Sequence, residues 1–122
     1  VKMPPTQFKL NNKISIRPYV FDYIFGKPEA QVGCIKFNDI TLFGVSGEIS
    51  GETMMEISNG LKNRKETYIP TSFNGDYVGY LTHPSHYYSK EHTETRDLNF
   101  YGPHNTEYFI DISTRFLNKI SE

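Results

Sequence analysis

Three glycines within eight residues, Gly44, Gly47 and Gly51, interrupt the chain where an apolar run gives way to an amphipathic one. No strand or helix runs comfortably through such a stretch, because glycine weakens both and favours bends. The chain must therefore leave one element, turn, and begin another between Gly44 and Glu52. Upstream, Val32, Cys34, Ile35 and Phe37 run into Asn38-Asp39 and out through Ile40, Leu42 and Phe43, a strand, turn, strand pattern that predicts a β-hairpin. Downstream, Ser50 is placed to cap a helix. Met54, Ile57 and Leu61 fall on one face of it, and Lys62, Arg64 and Lys65 sit where cations favour a helix C-terminus, so the helix is expected to reach about Asn63.

Elsewhere the patterns are shorter. Val1 to Asn12 reads as an extended arm, Ile14 and Ile16 as a short half-buried strand closed by Pro18, and Tyr19 to Phe25 fits a period of two as well as a helical turn. Thr67 to Ile69 predicts a strand stopped by Pro70, and Asn74-Gly75 a turn before a strand over 77–82 that ends at Pro84. Residues 85–99 are polar and without period, which reads as a long surface loop. After Gly102-Pro103, the stripe Phe109, Ile112, Phe116, Ile120 predicts a closing amphipathic helix. The expectation is an α/β chain with a mixed sheet, a β-hairpin, at least two amphipathic helices and a long irregular loop, forming over 1–122 a single domain or part of one.

Charge removes several function classes. Thirteen basic residues against fourteen acidic ones leave a net charge of −1, which offers no footprint for nucleic acid or an anionic membrane. Apolar runs such as Tyr19-Val20-Phe21 are far short of the roughly 20 residues that cross a bilayer, and no charged-then-apolar leader opens the sequence, so no transmembrane segment is expected. The chain begins at Val1 rather than at methionine, compatible with a processed product, a trimmed chain or a piece of something longer. The single cysteine, Cys34, excludes an internal disulfide and a thiolate zinc cluster, and its apolar strand setting suits a small buried hydrophobe better than a nucleophile.

Candidate chemistry gathers at the glycine bend. Gly47 lets the backbone turn sharply and delivers the Glu48 carboxylate beyond the end of a strand, where ligand sites in α/β architectures collect. Glu48 then suits a metal ligand or general base; equally, Glu48 and Glu52 suit the positive end of the following helix dipole. A phosphate cradle is excluded, since two acids flank the bend and no P-loop lysine follows. Tyr77 and Tyr80, three apart in a strand, face opposite sides, so only one can serve a given site, and packing explains either. Pro84-Ser85 between His83 and His86 rules out the i, i+4 pairing of a zincin helix, and no G-x-S-x-G elbow occurs.

Three stretches in order resemble the neutral/alkaline non-lysosomal ceramidase family over roughly positions 40 to 110. They are Ser46-Gly47-Glu48, then Tyr77-Val78-Gly79-Tyr80-Leu81-Thr82 with Tyr87 beyond, then Tyr101-Gly102-Pro103-His104-Asn105-Thr106. The family has a Pro-Gly-Glu bend, an Asn-x-Tyr-x-x-Tyr-hydrophobic-Thr strand, an acidic loop and Tyr-Gly-Pro-His-Thr at a helix start. The resemblance implies a zinc-dependent amidase that splits the N-acyl bond of ceramide-like lipids, with Glu48 and Tyr80 as metal ligands. Two hard oxygen donors together with imidazoles make a plausible zinc shell, and the metal would polarise the amide carbonyl and acidify water.

The departures limit what this chain supplies. The family's two histidine ligands and its serine lie in the preceding segment, and no histidine precedes Glu48 here. Ser46 replaces the proline of the bend and His83 a second threonine after the strand. A further family tyrosine from the acidic loop has no clean counterpart; His92 falls nearest, with Thr93-Glu94 after it. The resemblance therefore implies a chain that needs the missing upstream half of the catalytic domain as its partner, binds zinc weakly alone and is inactive by itself. It also implies an extracytoplasmic or membrane-associated setting. The alternative is a non-catalytic aromatic-rich binding or structural module, with Tyr19, Tyr23, Tyr87, Tyr88 and Tyr101 as a platform for a lipid, glycan or protein, or an exposed apolar stripe that seats a missing half.

Overall fold

A computed structural model describes residues 2–11, 13–27, 29–61, 66–91 and 93–120. The expected hairpin forms: β1 (Val32–Phe37) and β2 (Ile40–Val45) pair antiparallel in the register Phe37↔Ile40 through Val32↔Val45. The turn at Asn38-Asp39 uses a left-handed Asn38 (φ 50°), a conformation asparagine tolerates better than most residues. On its other side β2 pairs parallel with β4 (Thr67–Thr71), completing a mixed sheet in the order β1-β2-β4. Pro70 lies inside β4 rather than ending it. Among the described residues the strand is paired with β2 alone, and an outer strand is where a proline costs least.

The sheet sets Phe43, Val45 and Tyr68 into the core. Its other face leaves Ile35, Phe37, Ile40 and Ile69 exposed. Beyond β2 the chain makes the two-residue β3 (Glu48–Ile49) and then α2 (Gly51–Gly60), whose cap Ser50 accepts a hydrogen bond from the Thr53 amide at 3.3 Å. Ile57 and Leu61 are buried as the spacing predicts. The helix ends at Gly60 rather than near Asn63, and Lys62, Arg64 and Lys65 lie outside the described residues.

Two further strand expectations change, and one open reading resolves. Around Ile14 and Ile16 only the isolated bridge Lys9↔Ser15 forms, because Asn11 Oδ1 accepts the amides of Lys13 and Ile14 and folds the segment into a turn. Tyr19 to Phe25 is helical, as α1 (Pro18–Phe25), started by Pro18 in the first turn and ended by Gly26 at φ 78°. The strand expected over 77–82 shrinks to β5 (Tyr80–Leu81), since Gly79 at φ 83° breaks extension before Tyr80.

The stretch 85–99 is not an irregular loop throughout. It holds α3 (Pro84–Tyr87), with Pro84 in its first turn and the His83 ring accepting from the Ser85 amide, and α4 (Thr93–Asp97). Elements of one turn are too short to show periodicity. The closing helix α5 (Asn105–Ile120) is turned relative to the predicted stripe. Phe109, Ser113 and Leu117 are its buried line, Ile112 and Phe116 flank it half-buried, and Ile120 is exposed. It packs on α2 and joins Phe43, Val45, Ile57 and Leu81 in one core. The α/β class, mixed sheet, hairpin and amphipathic helices are those expected. No helix among the described residues is long and apolar enough to cross a membrane.

Candidate functional site

Ser46 fixes the bend. Its buried hydroxyl accepts the Gln31 amide at 2.7 Å and lies 2.9 Å from the Asn74 carbonyl oxygen, to which it donates, joining three segments. Gly47 follows where no side chain fits, because an added Cβ would lie 2.7 Å from Leu81 Cγ and 3.1 Å from the Gly79 carbonyl oxygen. That close approach lets the Glu48 amide donate to the Gly79 carbonyl at 3.1 Å.

Glu48 and Tyr80 are then direct partners in the parallel β3-β5 ladder, and Ile49 and Leu81 the next pair. Register partners project to the same side of a ladder, and successive residues to opposite sides. Ile49 and Leu81 belong to the core, so Glu48 and Tyr80 lie together on its outer side, both half-buried. They line a cavity of about 240 Å³ with Ser50, Glu52, His83 and His86.

The carboxylates at this site divide their roles. Glu52 sits in the first turn of α2, and its own amide and the Ser50 hydroxyl hold its carboxyl below the usual range, with His86 adding to this. It serves the helix dipole. Glu48 lies in β3 ahead of the cap, outside the first turn. Tyr77 is separated from Tyr80 by the turn at Gly79 and stacks on Phe73 with ring centroids 5.8 Å apart. Its phenol is pushed up by burial first, then by the nearness of Glu48 and Tyr80. Of the two tyrosines, Tyr80 lines the cavity.

His83 and His86 were not expected at this cavity. Pro84 excludes a zincin pair yet starts α3, and one helical turn later His86 comes to the same side as His83. Their Nε2 atoms approach Glu56 Oε2 at 3.3 Å and Glu52 Oε1 at 3.5 Å, carboxylates that are i, i+4 neighbours on α2. The spacing of His83 and His86 against Glu52 and Glu56 is a legible signal only once α3 is known to be helical.

The remaining candidates fall elsewhere. His104 is exposed and meets Glu107 at 2.9 Å. Thr106 in the same motif anchors α5 by donating to the Thr82 carbonyl at 2.6 Å. Cys34 packs against the core from an intermediate position, and His92 lies outside the described residues. Tyr87 and Tyr101, at 6% and 4% exposure, are buried rather than part of an aromatic platform, while Tyr19, Tyr23 and Tyr88 are exposed. Among the described residues no three of His, Cys, Asp and Glu are grouped to hold a metal. Glu48 and Tyr80 offer two oxygen donors on one side of a ladder, fewer than the roughly four ligands of a zinc shell. No protein-family model matches the chain, and no curated protein matches it significantly.

Proposed function

We propose that this chain supplies one wall of a zinc-dependent amidase centre of the neutral ceramidase kind, with Glu48 and Tyr80 as the two ligands it contributes. The register pairing Glu48↔Tyr80, which sets both side chains on one side of a two-residue ladder, carries the reading. Support also comes from the order of the three motifs and from the cavity beside the pair. A zinc ion held there supplies Lewis acidity toward an amide carbonyl. The chain's own part is positional. Gly47 brings the two strands into contact, Ser46 locks the bend, and Glu48 and Tyr80 offer hard oxygen donors. The remaining ligands, and the other half of the pocket for a ceramide-like N-acyl lipid, come from an upstream polypeptide.

The test uses the chain alone and joined to the polypeptide encoded upstream. Alone, it is expected to hold less than stoichiometric zinc by elemental analysis and to leave a short-chain fluorescent ceramide intact. The joined protein is expected to bind zinc and hydrolyse the probe, and Glu48→Gln and Tyr80→Phe are each expected to cut hydrolysis more than about a hundredfold. Retention of full zinc and activity by both variants would refute the assignment.

A further inference from the structure

Two asparagines have their side-chain amides oriented by the backbone. Asn11 Oδ1 accepts the amides of Lys13 and Ile14 at 2.8 and 2.9 Å, and Asn99 Oδ1 accepts those of Tyr101 and Gly102 at 3.2 and 3.0 Å. An oxygen engaged twice settles which end of the amide is which, and leaves Nδ2 as the end each residue has to offer. The fold brings the two together. The Gln7 amide donates to the Phe100 carbonyl at 2.6 Å, which ties the N-terminal arm beside Asn99. Asn11 and Asn99 line one cavity of about 450 Å³, within the size range of small-molecule sites.

Asn99 is the member that points to a ligand. It is 2% exposed, and its Nδ2 meets no hydrogen-bond partner among the described residues. A buried donor without an acceptor is costly, so such a group asks for one from outside the chain. The other polar groups of the cavity are donors too. Lys9, which is exposed, and Arg96 both line it. Arg96 donates through Nε to Asp97 Oδ1 at 3.1 Å, a bond that does not involve its Nη groups. Asp97 is the one carboxylate among the described lining residues, so Lys9, Arg96 and Asp97 together leave one positive charge. Tyr87 and Tyr88, in edge contact at 5.0 Å, add an aromatic wall. No described residue of this cavity lines the one beside Glu48 and Tyr80.

We propose that this cavity binds a small carboxylate with a ring-shaped body. The donors are Asn99 Nδ2, Asn11 Nδ2, Lys9 Nζ and the Arg96 Nη groups, and a carboxylate is acceptor-only, with about four lone-pair positions on two oxygens. Charge selects it over a phosphate ester. One net positive charge matches a carboxylate, whereas a phosphate monoester carries about −1.5 to −2 at pH 7 and would bring its excess charge close to Asp97. The tyrosine pair receives the body of the ligand, ring against ring.

The test is calorimetric titration of the chain with benzoate, with benzamide as the uncharged isostere and phenyl phosphate as the dianion. Saturable one-site binding is expected for benzoate, at least about tenfold weaker binding for benzamide, and weaker binding for phenyl phosphate than for benzoate. Asn11→Asp and Asn99→Asp each keep the oxygen that holds the backbone amides and put a carboxylate oxygen where Nδ2 stood. Each is expected to weaken benzoate more than about tenfold, and Lys9→Gln about threefold. Should Asn99→Asp lower the melting temperature, Asn11→Asp carries the test, since Asn11 is exposed. The side-chain amide resonances of Asn99 are expected to shift with benzoate in nitrogen–proton correlation spectra. Absence of saturation, equal affinity for benzamide, tighter binding of phenyl phosphate, or unchanged affinity in Asn11→Asp would each overturn the proposal. So would Asn99 resonances that stay in place at saturation, because Nδ2 would then be met by buried water alone.

Discussion

Leu81 Cγ stands 2.7 Å from where a Cβ on Gly47 would be, and its neighbour Cδ1 at 2.9 Å. Leu81 is fully buried in the core, so it has little room to give way. Gly47→Ala is therefore expected to separate β3 from β5 and to cost about 1–3 kcal/mol, the usual penalty for overpacking. Urea unfolding measures it. A loss below about 0.5 kcal/mol would show that the two strands are not held at this distance.

Thr106 and Thr82 make the second connection that holds the cavity wall. Both are buried, Thr106 Oγ1 donates to the Thr82 carbonyl at 2.6 Å, and Thr82 Oγ1 donates to the Thr95 carbonyl at 2.7 Å. Thr106→Val keeps the shape and leaves that carbonyl without its hydroxyl donor, at an expected cost of about 1–3 kcal/mol. Thr106→Ser, which keeps the hydroxyl, should lose less. Equal losses for the two variants would assign the effect to the methyl group and not to the hydrogen bond.

These contacts mark where the sequence was readable and where it was not. Cys34 to Phe43 was legible, since two alternating runs around Asn-Asp admit one local solution. The Ser50 cap was legible for the same reason. The partner of a strand is a long-range fact, and neither the pairing of β2 with β4 nor that of Glu48 with Tyr80 leaves a local trace. Pro70 was misread as a stop because its tolerance depends on β4 being an outer strand. Phe109 was rightly assigned to the core, but Ser113, a hydroxyl at zero exposure, displaced the apolar stripe by a fraction of a turn. Phe73 gave no signal at all, as a left-handed phenylalanine contradicts local preference.

The two histidine pairs at the cavity rim look structural but involve half-exposed groups. Glu56 and His83 have side-chain exposures of 55% and 25%. Glu56→Gln is expected to change stability by no more than about 0.5 kcal/mol, because exposed pairs gain little over their hydration. The anchor of α3 is instead Tyr87, buried and in edge contact with Tyr88 at 5.0 Å. Tyr87→Ala should cost about 3 kcal/mol. A larger loss for Glu56→Gln than for Tyr87→Ala in denaturant titrations would reverse this assignment.

Alkaline stability should depend on Tyr101. Burial, with Asp22 and Asp76 adding to it, pushes its phenol up to about 12, against about 10 for a phenol in an unfolded chain. Above the lower value the unfolded chain gives up the proton while the folded chain keeps it, so unfolding gains free energy as pH rises. The stability contributed by the neutral phenol is thus complete below pH about 10 and drains away toward about 12. Burial pushes the phenols of Tyr87 and Tyr77 in the same direction, so they add to the effect without creating it. Tyr101→Phe removes the proton and keeps the ring. Relative to the parent chain, its urea midpoint is expected to rise between about pH 8 and pH 11. A constant difference between the two chains across that range would show that Tyr101 ionises alike in the folded and unfolded states, and that its burial does not set the alkaline limit.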